Sequence, residues 1–369
     1  MASFKKRGKT WQYSISRMVN AKYMPITKSG FTTKKEAQVA AAEIELEMRK
    51  GVVPNLKPVP FSDYFASWLS LYKVDIVGNT LSRYQNSVNT VLNYFGDTPI
   101  QQITKRKYQG FLNDYAQSHA KESTRKLNTH IRACVKDAVD EGLIRVDFTR
   151  GVTLSGSVPT KKSSDKHLNY SEGEILLRWL YKHKNKSKVQ YLILLATTSG
   201  LRFSELLGLT RKDFNFVTKT ISINKTWGYT NKMHTGWGPT KNEQSNREIK
   251  MDHMTMNVFQ DLFANEPEHI SKLVFYSNAS KYGVISNNAV NKELKKLLQE
   301  LKLSHITIHG LRHTHASILL YKGVSIYYVS ERLGHGDIET TLNTYAHIVK
   351  ELRDKDENAT ASLFKSMIG

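Results

Sequence analysis

The sequence predicts a mixed α/β protein of several domains that is mainly α-helical. At 369 residues the chain is long for one domain, and 40% of its residues are hydrophobic, which is enough for hydrophobic cores. The spacing of hydrophobic residues changes along the chain, from alternation near the amino terminus to the period of amphipathic helices. We therefore expect a small α+β domain at residues 1–55, a four-helix domain at 56–155, and a mostly helical domain with a small antiparallel sheet at 165–369.

The first domain combines strand and helix patterns with a strongly basic composition. Its first 35 residues hold nine Lys or Arg and no acidic residue. Thr33 and Glu36 have the spacing of a capping box, and three prolines in residues 51–60 predict a linker. The predicted elements are strands at Trp11–Ser16 and Tyr23–Ile26 and a helix at Thr33–Lys50.

The second domain has the period of amphipathic helices. Its first helix carries an aromatic stripe that we expect in the core, formed by Phe61, Phe65, Trp68, Leu69 and Tyr72. A second helix begins at Thr80 and runs to Phe95, where Gly96 and Asp97 end it. Two further helices are predicted around Lys105–Ser118 and Lys121–Glu141.

The third domain follows a segment rich in Ser, Thr, Lys and Gly at Gly151–Lys166, which predicts an interdomain linker. Ser199 and Gly200 break the second of its helices. Alternation at Thr220–Ile223 indicates a strand that Arg247–Lys250 could pair with. The predicted helices are Tyr170–Lys182, Val189–Thr198 and a series that continues to the carboxyl end.

Basic residues outnumber acidic ones, 54 to 33, which gives a formal net charge of +21. That excess indicates a polyanionic partner such as nucleic acid. No apolar run approaches the roughly 18 residues that span a bilayer, and the amino terminus lacks the apolar core of a signal peptide, so we expect a cytoplasmic protein with no membrane partner. Cys134 is the single cysteine, and its helix-like surroundings predict a buried thiol without a disulfide.

The stretch from Ile308 to Tyr345 carries the strongest chemical pattern. Residues three apart on a helix share a face, so His309 and Arg312 could contact one oxyanion. Arg offers a fixed fork of donors, and His can give or take a proton near neutral pH. Tyr345 supplies a hydroxyl that could attack phosphorus and hold it as an ester. The motifs are His309-Gly310-Leu311-Arg312, Leu333-Gly334-His335 and Thr344-Tyr345.

With an H-x-x-R, an L-G-H and a downstream Tyr in this order, the chain resembles the tyrosine recombinase (phage integrase) family. That family also has an upstream Arg in an A/S-G-L/M-R-x-S-E context, and TSGLRFSE at residues 198–205 supplies Arg202. It has a Lys in a β-hairpin between the two Arg boxes, where PTKNEQSNR at residues 239–247 holds Lys241. By this resemblance the three domains would be an arm-type DNA-binding domain, a core-binding domain and a catalytic domain.

The resemblance implies DNA cleavage without metal or ATP, through a 3′-phosphotyrosyl link to Tyr345. Arg202 and Arg312 would contact the non-bridging oxygens of the scissile phosphate. Lys241 would protonate the leaving 5′ oxygen. His309 and His335 would donate to phosphate oxygens or assist proton transfer. No cofactor is expected.

Several residues compete with these assignments. Lys225 and Lys232 could replace Lys241 if the hairpin register differs, and Tyr327 and Tyr328 compete with Tyr345 by position.

Other residues near these motifs are expected to play supporting parts. Glu205 would form an exposed i,i+3 ion pair with Arg202 and help to orient the site. His309 and His313 have the spacing of zinc helices, but Gly310 stands where that motif needs Glu, so no metal is expected. His313 and His315 are expected to serve as packing or backbone partners.

The resemblance further implies double-stranded DNA attachment sites as the partner, a homotetramer on DNA, an accessory DNA-bending or directionality factor, and exchange of a segment within Val349–Gly369. The function would be integration or excision of a phage or mobile element. A chromosome-dimer resolvase, a non-catalytic DNA-binding regulator and a type IB topoisomerase are the alternatives. DNA contacts of the second domain are expected at exposed side chains such as Arg83, Lys121, Ser123, Thr124, Arg125 and Lys126.

Overall fold

The computed structural model describes residues 2–19, 22–23, 25–49, 58–76, 78–159, 166–183, 187–231 and 233–351. The chain divides into two compact units, Met1–Thr160 and Lys161–Gly369. Most of the predicted linker at 51–60, the alternative Lys232 and most of the predicted exchange segment lie outside the described residues. Within the described ranges, none of the helices combines the length and the apolar character needed to cross a membrane.

A three-stranded antiparallel sheet opens the first unit. Its elements are β1 (Ala2–Arg7), β2 (Thr10–Ile15), β3 (Met18–Val19), β4 (Lys22–Tyr23), β5 (Ile26–Phe31) and α1 (Lys34–Arg49). The strand order is β1-β2-β5, while β3 and β4 form a separate pair. Tyr13, Ile15 and Ile26 lie between this sheet and Ala41 of α1, so the segment has a core of its own.

The predictions for this segment are partly confirmed. β2 and α1 lie where the sequence placed them, but the strand predicted across residues 23–26 is wrong, because Pro25 separates β4 from β5 and proline cannot donate to a strand ladder. The capping box forms only in part. Thr33 Oγ1 accepts from the backbone N–H of Glu36 at 3.2 Å, whereas the Glu36 carboxylate accepts from Thr32.

Four helices complete the first unit, as predicted: α2 (Phe61–Tyr72), α3 (Gly78–Phe95), α4 (Lys105–Ala116) and α5 (Lys121–Asp140). The aromatic stripe of α2 forms the core except for Tyr72, which is 48% exposed because it lies on the last turn and its hydroxyl donates to Glu141. Cys134 is fully buried, as expected. Thr124 is also fully buried, so its assignment as an exposed DNA contact is wrong: it lies on the core face of α5, three residues before Leu127.

The predicted linker after these helices is partly fixed to them. Gln109 and the backbone of Thr153 exchange two hydrogen bonds, each of 2.9 Å. The backbone N–H of Ser157 donates to the carbonyl of Ala116 at 2.9 Å. Residues 151–158 therefore pack on the four-helix bundle.

The second unit surrounds a small antiparallel sheet with helices. Its elements are α6 (Tyr170–Lys182), α7 (Lys188–Ser199), α8 (Phe203–Leu207), β6 (Phe214–Asn215), β7 (Thr220–Ile223), β8 (Thr226–Trp227), β9 (Trp237–Gly238), β10 (Arg247–Lys250), α9 (His253–Asn265), α10 (Asn287–Glu300), α11 (Ile308–Tyr321), α12 (Ile326–Leu333) and α13 (Ile338–Glu351). The sheet order is β10-β7-β6, with Ile249 opposite Ile221, so the predicted pairing is confirmed. The predicted fold class, mainly helical with small antiparallel sheets, is also confirmed.

Two glycine turns bring the motif residues together. Gly200 ends α7 at φ 69° and Gly334 ends α12 at φ 68°, in the left-handed region that glycine favours. A Cβ on Gly200 would lie 2.6 Å from the ring of His315, and one on Gly334 would lie 2.9 Å from Arg247 Nη1. Both turns therefore need glycine for the backbone conformation and for the close approach.

Candidate active site

Arg202 lies two residues after Gly200 and is the N-cap residue of α8. Its Nη1 donates to Glu205 Oε1 at 2.7 Å and to Ser245 Oγ at 3.1 Å, and its Nη2 donates to the carbonyl of Gly334 at 2.8 Å. The expected i,i+3 ion pair is confirmed, but its expected exposure is wrong, because Glu205 is 1% exposed. These contacts fix the guanidinium against both the Lys241 loop and the Leu333-Gly334-His335 turn.

Arg247 is a second partner of Glu205 and was not among the residues predicted for the site. Its Nη2 lies 3.0 Å from Glu205 Oε2, and its Nε donates to the carbonyl of Arg332 at 2.7 Å. Burial acts to raise the pKa of Glu205, but Arg247 and Arg202 outweigh it and hold that pKa below its ordinary value. Glu205 is therefore an anion that orients two arginines.

Arg312 projects from α11 into the interior and is 4% exposed. Its Nη1 donates to the carbonyl of Gly200 at 2.8 Å, while its Nη2 is buried without a hydrogen-bond partner in the described structure. Burial, followed by the charge of Arg202, lowers its pKa to about 9. A buried cation with an unpaired donor is suited to bind an anion, because an unsatisfied charged donor costs about 1–3 kcal/mol or more.

The two predicted histidines lie near the arginines. His309 is exposed on α11, and desolvation, Arg312 and Arg202 lower its pKa. His335 follows the turn at Gly334, and its Nδ1 lies 2.6 Å from Thr341 Oγ1. Burial, then Arg312 and Arg202, lowers the pKa of His335 to about 4, so it is neutral at pH 7.

Tyr345 lies on α13 and is 1% exposed. Its ring packs in a cluster whose buried members are Ala316, Leu320, Val329 and Leu333. Its hydroxyl lies 2.9 Å from Nδ1 of His313. Burial raises the pKa of Tyr345 above its ordinary value. His313 thus contacts the predicted nucleophile, a contact that was not predicted from the sequence.

The remaining predicted residue, Lys241, is exposed in the loop between β9 and β10. In the part of the chain that the structure describes, no hydrogen bond or ion pair joins it to the other predicted site residues. Its neighbour Asn242 accepts a hydrogen bond from Ser245 Oγ, which ties the loop to Arg202. Lys225, one of its two alternatives, pairs with Asp213 instead.

His315 lies on α11, three residues after Arg312, and contacts the backbone, as the sequence predicted. Its Nδ1 lies 3.0 Å from the carbonyl of Thr197, and its Nε2 accepts from Nε of Arg332 at 3.0 Å. Since the carbonyl can only accept and the guanidinium only donates, the imidazole must be neutral. Burial, followed by Arg332, accordingly lowers its pKa to about 3.

The burial of the neutral His315 imidazole predicts that the folded protein loses stability in acid. The folded pKa of His315 is below the unfolded value, so its stabilising contribution is complete above pH 6.5 and falls as the pH drops towards 3. Urea denaturation gives the free energy of unfolding of wild type and of His315→Asn at pH 8 and pH 5. We expect the excess stability of wild type over the variant to be about 2 kcal/mol smaller at pH 5 than at pH 8. Parallel pH dependences for the two proteins would contradict this assignment.

Three family profiles match consecutive parts of the chain. "Arm DNA-binding domain" matches residues 3–48, "Phage integrase, N-terminal SAM-like domain" matches 60–116, and "Phage integrase family" matches 157–351. The last match alone covers more than half of the chain.

Individual relatives match over most of their length. The integrase of Staphylococcus phage L54a is 26% identical over 333 residues, which cover 81% of this chain and 91% of that protein. The ICEBs1 integrase of Bacillus subtilis (strain 168) is 21% identical over 368 residues, covering 93% and 98%. The solved Tn1549 transposon integrase, in complex with transposon right end DNA, is 18% identical with a TM-score of 0.67, over 82% of this chain and all of that one, which shows a common fold.

Proposed function

Because the chain belongs to the phage integrase family, we propose that it is a site-specific tyrosine recombinase that cuts and rejoins double-stranded DNA to integrate or excise a phage or mobile element. The observation that carries this proposal is the pair of arginines, Arg202 and Arg312, fixed beside two neutral histidines. Arg312 keeps a buried, unpaired donor that a phosphate oxygen would satisfy. Relatives that are named integrases, one from a phage and one from ICEBs1, support integration or excision of such an element as the function.

The proposed reaction gives each of these groups the role that the family resemblance implies. The arginines hold the non-bridging oxygens, where hydrogen bonds strengthen as charge builds in the transition state. Tyr345 attacks phosphorus, and Lys241 protonates the 5′ oxygen as it leaves. His309 and His335 donate to the phosphate. Since Tyr345 is buried, binding of DNA has to open a path to its hydroxyl.

Covalent trapping tests this proposal. The wild-type protein is incubated in EDTA with nicked duplexes taken from the flanks of its own gene and is then denatured in SDS. We expect a protein–DNA adduct that forms without metal or ATP. Tight, salt-dependent binding with no adduct on any duplex would favour a regulator that has lost catalysis.

We also propose that residues 1–55 bind arm-type DNA sites and that the active assembly is a homotetramer with an accessory bending or directionality factor. The separate core and the basic composition of the segment support the first assignment. Mass photometry of the protein on paired sites would measure the stoichiometry.

Deletion of residues 1–55 is expected to separate cleavage from recombination. The truncated protein should form the adduct on a core duplex at near wild-type rate, because the catalytic residues remain. Recombination between full attachment sites should fall by about 10²–10⁴, the usual gain from joining two binding modules. A gel assay of both reactions measures this, and undiminished recombination would favour the dimer-resolvase alternative.

A further inference from the structure

The contact between His313 and Tyr345 joins two helices at the predicted nucleophile. Nδ1 of His313 on α11 lies 2.9 Å from the hydroxyl oxygen of Tyr345 on α13, and the ring centroids are 5.7 Å apart. The buried side chains that pack around the tyrosine ring are apolar. In the described structure, His313 is therefore the polar group that the hydroxyl meets.

The direction of this hydrogen bond follows from chemistry. A phenol is a better donor than acceptor, and apolar neighbours offer the hydroxyl no other acceptor. The O–H of Tyr345 therefore donates to Nδ1 of His313, whose proton is on Nε2. A neutral imidazole at 2.9 Å from a nucleophile's hydroxyl has the geometry of a general base.

We propose that His313 is the general base for Tyr345, an inference that rests on the proposed function. In cleavage, the Tyr345 oxygen bonds to phosphorus, its proton moves to Nδ1 of His313, and the bond from phosphorus to the 5′ oxygen breaks. That oxygen takes a proton from Lys241. In rejoining, the 5′ hydroxyl attacks phosphorus and returns its proton to Lys241, the bond from phosphorus to the Tyr345 oxygen breaks, and that oxygen takes back the proton that His313 has held.

Burial and the charges around the pair disfavour proton transfer before DNA binds. Burial, then the neighbouring His309, Arg312, His167 and Lys166, lowers the pKa of His313 to about 3, which disfavours proton transfer. A bound phosphodiester would offset the charge of Arg312 and raise that pKa. Binding of the substrate therefore favours transfer of the Tyr345 proton to His313.

Single-turnover cleavage of a nicked duplex tests the proposal with His313→Ala and His313→Gln. Glutamine can accept the hydrogen bond of Tyr345 but cannot take its proton. We expect both variants to cleave about 10²–10⁴ times more slowly than wild type with unchanged DNA affinity. His313→Gln, which keeps the hydrogen bond, should also show wild-type thermal unfolding. His253→Ala, at an exposed histidine that begins α9, should cleave at the wild-type rate.

Two further readouts distinguish a base from a positioning group. Added imidazole should restore part of the rate of His313→Ala, and the rate of that variant should rise about tenfold per pH unit above pH 8, because solvent then removes the proton. Full activity of His313→Gln, or a His313→Ala variant as fast as wild type, would overturn the assignment while leaving the proposed function intact. A wild-type protein that forms no adduct would overturn both.

Discussion

Replacing Tyr345 with phenylalanine is expected to abolish the covalent adduct while leaving DNA affinity within about twofold. The substitution removes one oxygen and keeps the ring in its apolar cluster, so the packing of α13 is retained. Without the oxygen no phosphotyrosyl bond can form. Denaturing gels of trapped complexes measure the adduct, and fluorescence anisotropy measures the affinity.

Tyr328→Phe is the matched control for this variant. Tyr327 and Tyr328 lie on α12 and are 74% and 46% exposed, so both remain available for attack if Tyr345 is not the nucleophile. We expect Tyr328→Phe to form the adduct as wild type does. An adduct that survives in Tyr345→Phe would move the nucleophile to another residue, with these two tyrosines as the first to test.

Replacing Arg312 with lysine is expected to slow cleavage by about 10²–10³ at saturating DNA, the usual effect of removing one preorganised donor at a developing charge. Lysine keeps the charge but loses the planar fork, so it cannot hold the Gly200 carbonyl and a phosphate oxygen together. Single-turnover rates measure the loss.

A second arginine-to-lysine change controls for general effects of the substitution. Arg178 lies on the exposed side of α6 and pairs there with Glu174. Arg178→Lys should leave the cleavage rate unchanged. An Arg312→Lys variant that cleaves at the wild-type rate would remove Arg312 from the proposed phosphate contacts.

The sequence predicted the features of this site that depend on short spacings. The helix end at Gly200, the two strands around Ile221 and Ile249 and the helix that carries His309 and Arg312 each follow from patterns of neighbouring residues. The role of each candidate residue came from the family motif, and for Lys241 it stays a prediction.

Contacts between residues that are distant in the sequence could not be predicted from such local patterns. Arg247 meets Glu205 across 42 positions and His313 meets Tyr345 across 32, and no local pattern encodes either contact. The burial of Glu205 was missed for the same reason. An i,i+3 spacing predicts the ion pair with Arg202, but it does not predict which other residues cover that pair.

The burial of Cys134 makes the protein suitable for thiol labelling. Its side chain is fully buried in α5, and burial raises the pKa of the thiol, whereas reagents such as maleimides attack the exposed thiolate. The native chain should therefore resist these reagents. A cysteine at exposed Val74 and another at exposed Val217 would place one dye on each unit, so energy transfer would report the distance between the two dyes with and without DNA.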